Sequence, residues 1–293
     1  MVSLNNDNTP QKIKAVFSDL DGTLFSPAHT VTERTQKAIE ALNRCGVPFV
    51  VATGRPFADV FANLETTHLK PDFIITSNGS RVHNAKRELI FACDLNPESA
   101  CHIFQLPENL DDEGYVSPTS PTRNIQYNLN CNDRWLTNER RNEIRAMFHP
   151  SLNYEEVDRM ALTPEAIKGT HSMYGWGKHE DLVCLKKYIQ RELPDVSTAF
   201  PLPHMLDCFP KGNDKGVAMR KVCEQLGISP SETIAFGDGM NDVQMLFEAG
   251  QGFVMSNAAP MVKEATKGLP VIGSNSEDAV AAKIEEFLAM GAF

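Results

Sequence analysis

Four aspartates stand where two apolar segments of the chain end. Asp19 and Asp21 follow an apolar run near the beginning, and Asp238 and Asp242 follow another run near the end. Carboxylates that lie close together repel each other unless a cation or a shared proton stabilises them. Because neither histidine nor cysteine accompanies these oxygen ligands, the set predicts a hard divalent cation, Mg²⁺.

A third apolar run, Val47–Ala52, also ends in a polar side chain, that of Thr53. In an open parallel sheet, ligands bind beyond the carboxyl ends of the strands. We therefore expect Thr53 to share one crevice with the four aspartates. Taken alone, a threonine at this position is a typical helix cap, and only its place among the other strand ends makes it a candidate ligand.

The residues next to these side chains could bind phosphate. Gly22-Thr23 and Gly54-Arg55 occupy expected turns from strand to helix, where backbone N–H groups cradle phosphate oxygens. Lys215, at the start of an expected helix, is either a solvated surface lysine or a counter-charge for an anionic substrate. A lysine, such amides and Mg²⁺ together describe a site for phosphoryl chemistry.

Apolar periodicity predicts the elements that position these side chains. Short β-branched runs at Ile13–Phe17, Val47–Ala52 and Asp72–Thr76 alternate with helical patterns. The first helix is expected to begin with a capping box over Thr30–Glu33 and to stop at Gly46. Such alternation is typical of βαβ units, and it predicts a doubly wound, Rossmann-like parallel sheet of the α/β class.

The middle of the chain has a different pattern of apolar and polar residues. Proline and asparagine interrupt it, and a strand over Arg123–Leu129 alternates apolar with polar residues, which predicts one face exposed to water. A helix over Glu180–Leu193 carries an apolar stripe. We interpret residues 83–210 as an α+β cap domain inserted into the parallel domain.

In the last part of the chain, helical patterns again alternate with buried strands, as they do in the first part. A helix is predicted over Gly216–Leu226, a buried strand over Thr233–Phe236, and a terminal helix near Glu277–Met290. The catalytic core is therefore expected to comprise residues 1–82 plus 211–293.

Composition excludes several classes of partner. The 28 basic and 38 acidic residues give a formal net charge of −10, so no general attraction to nucleic acid or to a membrane surface is expected. No apolar stretch approaches the ~20 residues that a membrane helix needs. Seven cysteines without metal-site spacing, and a polar stretch over residues 1–11 without an export signal, predict reduced thiols and a cytoplasmic location.

The motifs, taken in order, resemble those of a known superfamily. Asp19-Leu20-Asp21-Gly22-Thr23, Thr53-Gly54-Arg55, Lys215 and the segment from Gly237 to Asp242 are similar in order and spacing to the four motifs of the haloacid dehalogenase (HAD) superfamily. The similarity is closest to its Cof-type sugar-phosphate phosphatases, which Thr76-Ser77-Asn78-Gly79 also resembles. It spans essentially the whole chain, and that subfamily places its cap between the second and third motifs.

The resemblance implies a role for each motif residue. Asp19 would be the nucleophile that forms an aspartyl-phosphate, and Asp21 the general acid and base. Mg²⁺ would be held by Asp19, by the main-chain carbonyl of Asp21 and by Asp238. Phosphoryl oxygens would be held by Thr53, the amide of Gly54, Lys215 and Asn241, with Gly22, Arg55 and Asp242 in supporting positions.

The sequence therefore predicts a Mg²⁺-dependent phosphatase acting on small phosphorylated metabolites, above all sugar phosphates. One alternative is a phosphomutase, in which the aspartyl-phosphate passes to a second sugar hydroxyl instead of water. Another is a catalytically silent protein that binds a phosphate ester in the same pocket. The expected partner is a small-molecule phosphate ester, and the expected assembly is a monomer or a weak homodimer.

Overall fold

The structure, a computed structural model, describes residues 12–107, 109–120, 123–152 and 154–293, so the stretch without an export signal lies outside the described residues. Within these ranges the strands are β1 (Ala15–Ser18), β2 (Phe49–Ala52), β3 (Phe73–Thr76), β4 (Arg81–Asn84), β5 (Leu89–Ala92), β6 (Gln126–Cys131), β7 (Arg134–Thr137), β8 (Glu155–Glu156), β9 (Thr170–Trp176), β10 (Val196–Leu202), β11 (Met205–Pro210), β12 (Thr233–Gly237), β13 (Gln251–Met255) and β14 (Val271–Ile272). The helices are α1 (Glu33–Arg44), α2 (Phe57–Thr67), α3 (Pro97–Phe104), α4 (Asn142–Arg145), α5 (His179–Glu192), α6 (Lys215–Leu226), α7 (Val243–Glu248), α8 (Pro260–Ala265) and α9 (Ala279–Ala289).

Eight strands form the larger sheet, in the order β14-β13-β12-β1-β2-β3-β4-β5. Neighbours from β14 to β3 are parallel, and β4 and β5 add an antiparallel edge. Apolar side chains of α1 and α9 cover one face, and those of α6 and α7 cover the other. This arrangement confirms the predicted doubly wound α/β fold. None of the described helices combines the length and the hydrophobicity of a membrane span.

The central strand β1 explains why the motif residues meet. It is buried along its whole length and pairs in parallel with β12 on one side and β2 on the other. Ser18 stands beside Phe236 and Val51 in the two registers, so the three strands end at the same level. The residues that follow them therefore reach one edge of the sheet, where ligands of such folds bind.

The smaller sheet has six strands in the order β10-β11-β9-β6-β7-β8. Its pairs are antiparallel except for β7 with β8, and apolar side chains such as Leu129, Met173 and Leu206 pack with those of α3 and α5. The prediction of a wet face for the strand over Arg123–Leu129 is wrong, because every residue of β6 is buried. On its polar side, Gln126 donates to Thr137 Oγ1 and to the carbonyl of Glu139, and Asn128 accepts from Trp135 Nε1.

The change of pattern at residue 83 falls inside the larger sheet, because β4 and β5 extend that sheet to Ala92. These strands form its edge, and β5 is only partly buried. Strand β4 (Arg81–Asn84) carries three polar residues among its four, so it lacks the continuous apolar run that marks a buried parallel strand.

The predicted capping box over Thr30–Glu33 is also wrong, because the residue that caps the first helix lies two positions further along the chain. Helix α1 begins at Glu33, and its cap is Thr32, whose hydroxyl accepts a hydrogen bond from the backbone N of Thr35 at 3.2 Å. Glu33 instead pairs with Lys37 one turn along the helix, at 2.6 Å. Only Thr30 is followed three residues later by a glutamate, so the motif favoured Thr30, whereas the helix uses Thr32, which is followed at that distance by Thr35.

Candidate active site

Asp19 stands directly after β1, where the backbone N of Asp19 donates to the carbonyl of Phe236 at 3.0 Å. The side chain is only 6% exposed. Its Oδ1 accepts a hydrogen bond from Lys215 Nζ at 2.7 Å, and no described residue donates a hydrogen bond to Oδ2. Burial raises the pKa of Asp19 well above its usual range, Lys215 opposes that shift, and the charge of Asp242 adds to it.

Lys215 is the cation of the crevice, and its side chain has no exposed surface. It bridges two carboxylates, with Nζ 2.7 Å from Asp19 Oδ1 and 2.6 Å from Asp242 Oδ1. Burial alone would lower the pKa of Lys215, but the two carboxylates outweigh burial and the net shift is upward. The alternative of a solvated surface lysine is therefore wrong.

Asp242 organises the loop that follows β12. Its Oδ2 accepts hydrogen bonds from the backbone N of Asp238 at 3.0 Å and of Gly239 at 2.8 Å, while its Oδ1 is bonded to Lys215. Both of its oxygens are thus occupied by protein donors. Asp238 has fewer protein partners than Asp242. Among the described residues, only Thr23 donates a side-chain hydrogen bond to it, from Oγ1 to Asp238 Oδ1 at 2.8 Å. Burial, followed by the charge of Asp242, raises the pKa of Asp238 to about 6.

Gly22 lets the turn after β1 approach this loop. Its φ of +78° lies in the left-handed region, and a Cβ built there would overlap the carboxylate of Asp238. The backbone carbonyl of Gly22 accepts a hydrogen bond from Asn257 Nδ2 at 2.8 Å, which fixes the turn from outside. A side chain at this position would push Asp238 out of the crevice.

Three carboxylates of the crevice could hold a metal ion. Oxygens of Asp19, Asp238 and Asp242 all lie within 4.8 Å of one another. Asp238 keeps one oxygen that no described residue bonds to, which fits a hard cation that prefers oxygen ligands. The carboxylate of Asp21 does not belong to this group of three.

Asp21 faces Arg55 instead. The guanidinium of Arg55 also binds Asp59, whose side chain has no exposed surface, through Nη1 at 2.6 Å. Although burial opposes it, these two carboxylates raise the pKa of Arg55 above its ordinary value. The sequence assigned Arg55 only a supporting place and did not single out Asp59, although its spacing of four residues from Arg55 is a recognisable signal.

Thr53, Gly54 and Asn241 meet on the other side of the crevice, around Asn78. The amide of Asn241 donates to Asn78 Oδ1 at 2.9 Å, and the same oxygen lies 2.9 Å from where a Cβ of Gly54 would stand. Thr53 Oγ1 accepts from the backbone N of Arg55 at 3.2 Å, so this threonine does cap the turn, as its position alone suggested. The structure therefore gathers every motif residue at one edge of the larger sheet.

Asn78 also reaches the smaller sheet. Its Nδ2 donates to Oδ2 of Asp207, a buried residue of β11, at 3.0 Å. Sequence reasoning did not single out Asp207, although one aspartate within the otherwise largely apolar segment Met205–Pro210 is unusual for a buried strand.

Comparison with known proteins agrees with this architecture. The family model described as haloacid dehalogenase-like hydrolase matches residues 16–284, and the chain belongs to that family. Within it, this protein is a Cof-type phosphatase, a phosphoric monoester hydrolase.

Individual relatives are similar over most of their length. A protein of Haemophilus influenzae is 35% identical over 274 residues, which cover 92% of this chain and 94% of the relative. A protein of Cronobacter sakazakii named HMP-PP phosphatase is 33% identical, with coverage of 92% and 94%. The solved structure of a sugar phosphatase of HAD subclass IIB shares the fold, with a TM-score of 0.75, 24% identity, and coverage of 96% and 100%.

Proposed function

We propose that this phosphatase hydrolyses small phosphorylated metabolites, in particular sugar phosphates, with Mg²⁺ and through an aspartyl-phosphate on Asp19. The observation that carries the proposal is the buried contact between Lys215 and Asp19. It holds one carboxylate oxygen by a cation and leaves the other without a bond, which is the arrangement that a positioned nucleophile requires. The sugar phosphatase and the HMP-PP phosphatase to which the chain is similar support the substrate class.

In the first half of the reaction, Asp19 Oδ2 attacks phosphorus and the bond from phosphorus to the leaving-group oxygen breaks. Asp21 gives its proton to that oxygen, so the product leaves as a neutral alcohol. In the structure Arg55 bonds to both oxygens of Asp21. Proton transfer therefore requires at least one of these two hydrogen bonds to break.

In the second half, a water oxygen attacks the phosphorus of the aspartyl-phosphate and the bond from phosphorus to Asp19 breaks. Asp21 takes the proton that the water loses, which restores the acid for the next cycle. Lys215 remains beside the regenerated carboxylate throughout, because its second bond to Asp242 fixes its position.

The remaining groups hold the substrate and the ion. Mg²⁺ would be held by Asp19, Asp238 and the main-chain carbonyl of Asp21, and when bound it would offset negative charge on the phosphoryl group. We assign the phosphoryl oxygens to Thr53, the amide of Gly54, Lys215 and Asn241. Gly22 and Asp242 support the loops that carry these groups.

We also propose that the chain divides into a catalytic core and a cap domain. Residues 1–82 plus 211–293 carry the chemistry, and residues 83–210 form a cap that selects the substrate, with the hairpin β4–β5 at its root pairing with the core sheet. We also propose a cytoplasmic location and a monomer or weak homodimer.

The test is phosphate release from a panel of sugar phosphates, nucleotides and HMP-PP, with Mg²⁺ and after exhaustive treatment with EDTA. We expect release that EDTA abolishes and Mg²⁺ restores. A rapid acid quench should trap a phosphorylated protein whose adduct is labile to hydroxylamine and maps to Asp19. Activity that survives chelation would contradict the role of the metal.

Asp19→Asn is the decisive variant, because asparagine keeps the shape of the side chain but is not a nucleophile. We expect its kcat to fall at least about a thousandfold, with no trapped adduct. The matched control is Asp158→Asn, an exposed residue outside the crevice, which should retain phosphate release. A mutase would instead convert the sugar phosphate to an isomer, and a silent binding protein would release nothing from any ester.

A further inference from the structure

One row of side chains crosses the smaller sheet on the side opposite its helices. Asp207 on β11 pairs in register with Tyr174 on β9, and Tyr174 pairs with Asn128 on β6. Because side chains alternate along a strand, these three residues lie on one face, while their neighbours Leu129 and Leu206 pack with the helices. We call Asn128, Tyr174 and Asp207 the polar row.

The polar row is buried but not fully hydrogen-bonded. Asp207 is 8% exposed; its Oδ2 is bonded to Asn78, and its Oδ1 has no hydrogen-bond partner among the described residues. The side chain of Asn128 is also only partly hydrogen-bonded. Its Oδ1 accepts a hydrogen bond from Trp135 Nε1 at 3.1 Å, and its Nδ2 has no partner among the described residues. A buried polar group without a partner is unfavourable, so such a group is usually bonded to a ligand, an ion or water.

The contact with Asn78 ties the polar row to the phosphoryl site. Asn78 donates to Asp207 and accepts from Asn241, so a single side chain separates the cap carboxylate from a residue assigned to the phosphoryl group. Asp207 therefore lies one side chain away from the phosphoryl site, on the smaller sheet. A leaving group that extends from the phosphoryl group toward the smaller sheet would reach it.

The charges at the crevice restrict what that leaving group can be. Both cations described above are already paired, Lys215 with Asp19 and Asp242, and Arg55 with two further carboxylates. The hydrogen bonds and ion pairs of the described residues give Asp207 no cationic partner. Burial raises the pKa of Asp207 to about 7, which agrees with a desolvated carboxyl that lacks a counter-charge. Such a group attracts a hydrogen-bond donor and disfavours a second anion.

We propose that Asp207 is a specificity-determining residue whose Oδ1 accepts a hydrogen bond from a hydroxyl or ammonium group of the leaving group. The site would then select phosphate monoesters of polyols or amino alcohols over esters whose leaving group is apolar. This inference rests on the proposed function, because it assumes that a phosphate ester occupies the crevice.

The experiment compares O-phosphoethanolamine, whose ammonium group can only donate hydrogen bonds, with n-propyl phosphate, which has a chain of the same length and no donor. For the wild type we expect kcat/KM to favour phosphoethanolamine by at least about tenfold, since a buried acceptor left unpaired by propyl phosphate disfavours that ester. Asp207→Asn keeps the volume and the oxygen that faces Asn78, but presents an amide N–H to the leaving group. We expect its ratio to fall to about one.

A purely structural role for Asp207 predicts a different result. The shape of the side chain would then suffice, and Asp207→Asn would retain the ratio of the wild type, which would overturn the proposal. The matched control is Asp195→Asn, an exposed aspartate of the same sheet region that bonds to Ser99, and it should keep the wild-type ratio.

The wild type alone also provides a test that does not depend on how the variants fold. Equal kcat/KM for the two esters in the wild type would overturn the role of Asp207 while leaving the proposed function intact. Failure of the proposed function has a distinct signature, since neither these esters nor p-nitrophenyl phosphate would then release phosphate with Mg²⁺.

Discussion

Arg55 holds both carboxylate oxygens of Asp21, through Nε at 2.6 Å and Nη2 at 2.8 Å. The same guanidinium binds Asp59, whose second oxygen accepts a hydrogen bond from the backbone N of His149 at 2.6 Å. Because His149 lies between α4 and β8, these bonds connect the part of the chain that carries the smaller sheet to the turn after β1. A displacement of the segment around His149 would therefore change the position of Arg55, and with it the orientation of the Asp21 carboxylate.

Replacing Arg55 tests this connection. Arg55→Lys keeps the positive charge but cannot form the two-pronged contact with Asp21. We expect kcat for alkyl phosphates to fall about tenfold to a hundredfold, because Asp21 loses its fixed orientation. The control is Arg134→Lys, an exposed residue paired with Glu155, whose steady-state kinetics should match those of the wild type.

Gly22 provides a test of the carboxylate site. Gly22→Ala adds a Cβ that displaces Asp238, so we expect the Mg²⁺ concentration at half-maximal activity to rise at least about tenfold. The control is Gly227→Ala, because Gly227 has a φ of +66° and open space where a Cβ would stand. Both variants should lose about 1–2 kcal/mol of unfolding free energy, but only Gly22→Ala should change the response to Mg²⁺.

Lys215 should contribute to stability as well as to catalysis. Lys215→Met leaves two buried carboxylates without their cation, and we expect the free energy of unfolding in urea to fall by about 3–5 kcal/mol. Lys221→Met, on the same helix, removes only an exposed pair with Glu224 and should cost less than about 1 kcal/mol. Equal losses in the two variants would show that the buried ion pairs of Lys215 contribute no more to the free energy of unfolding than an exposed pair does.

Asp207 should make stability depend on pH. Its pKa is about 7 in the folded protein and near 3.8 in a solvated chain, so between these values the folded state binds the proton more tightly. The free energy of unfolding contributed by this group is therefore highest below pH 4, falls by up to about 1.4 kcal/mol per pH unit as pH rises, and levels off above pH 7. Asp207→Asn cannot titrate. Urea unfolding of both proteins at several pH values should show the wild type losing stability relative to the variant only within this window.

The parts of the fold that repeat along the chain could be predicted from the sequence. Helix α6 begins within one residue of its prediction, and the strands that carry Asp19, Thr53 and Asp238 were identified, because continuous apolar runs mark buried parallel strands. The motif residues meet as expected, since parallel strands in register end at one level.

What could not be predicted depends on a second layer of structure. The polar residues of β6 have the alternation of a solvated face, and tertiary contacts bury them, such as those of Gln126 with the carbonyl of Glu139 and of Asn128 with Trp135. The burial of Lys215 likewise requires Asp19 and Asp242, which lie far apart in the chain. The contact between Asn78 and Asp207 joins two sheets, and no local pattern encodes such a contact.

The pairing of β1 with β12 has a consequence for how the protein is made. Ala15 lies beside Thr233, so the centre of the larger sheet joins chain segments that leave the ribosome far apart in time. The antiparallel neighbours β6–β7 and β10–β11 involve much shorter loops and can pair earlier during synthesis. Asp19 and Asp238 therefore meet only after β12 has been translated, and no nascent fragment that ends before β12 carries the complete group of carboxylates.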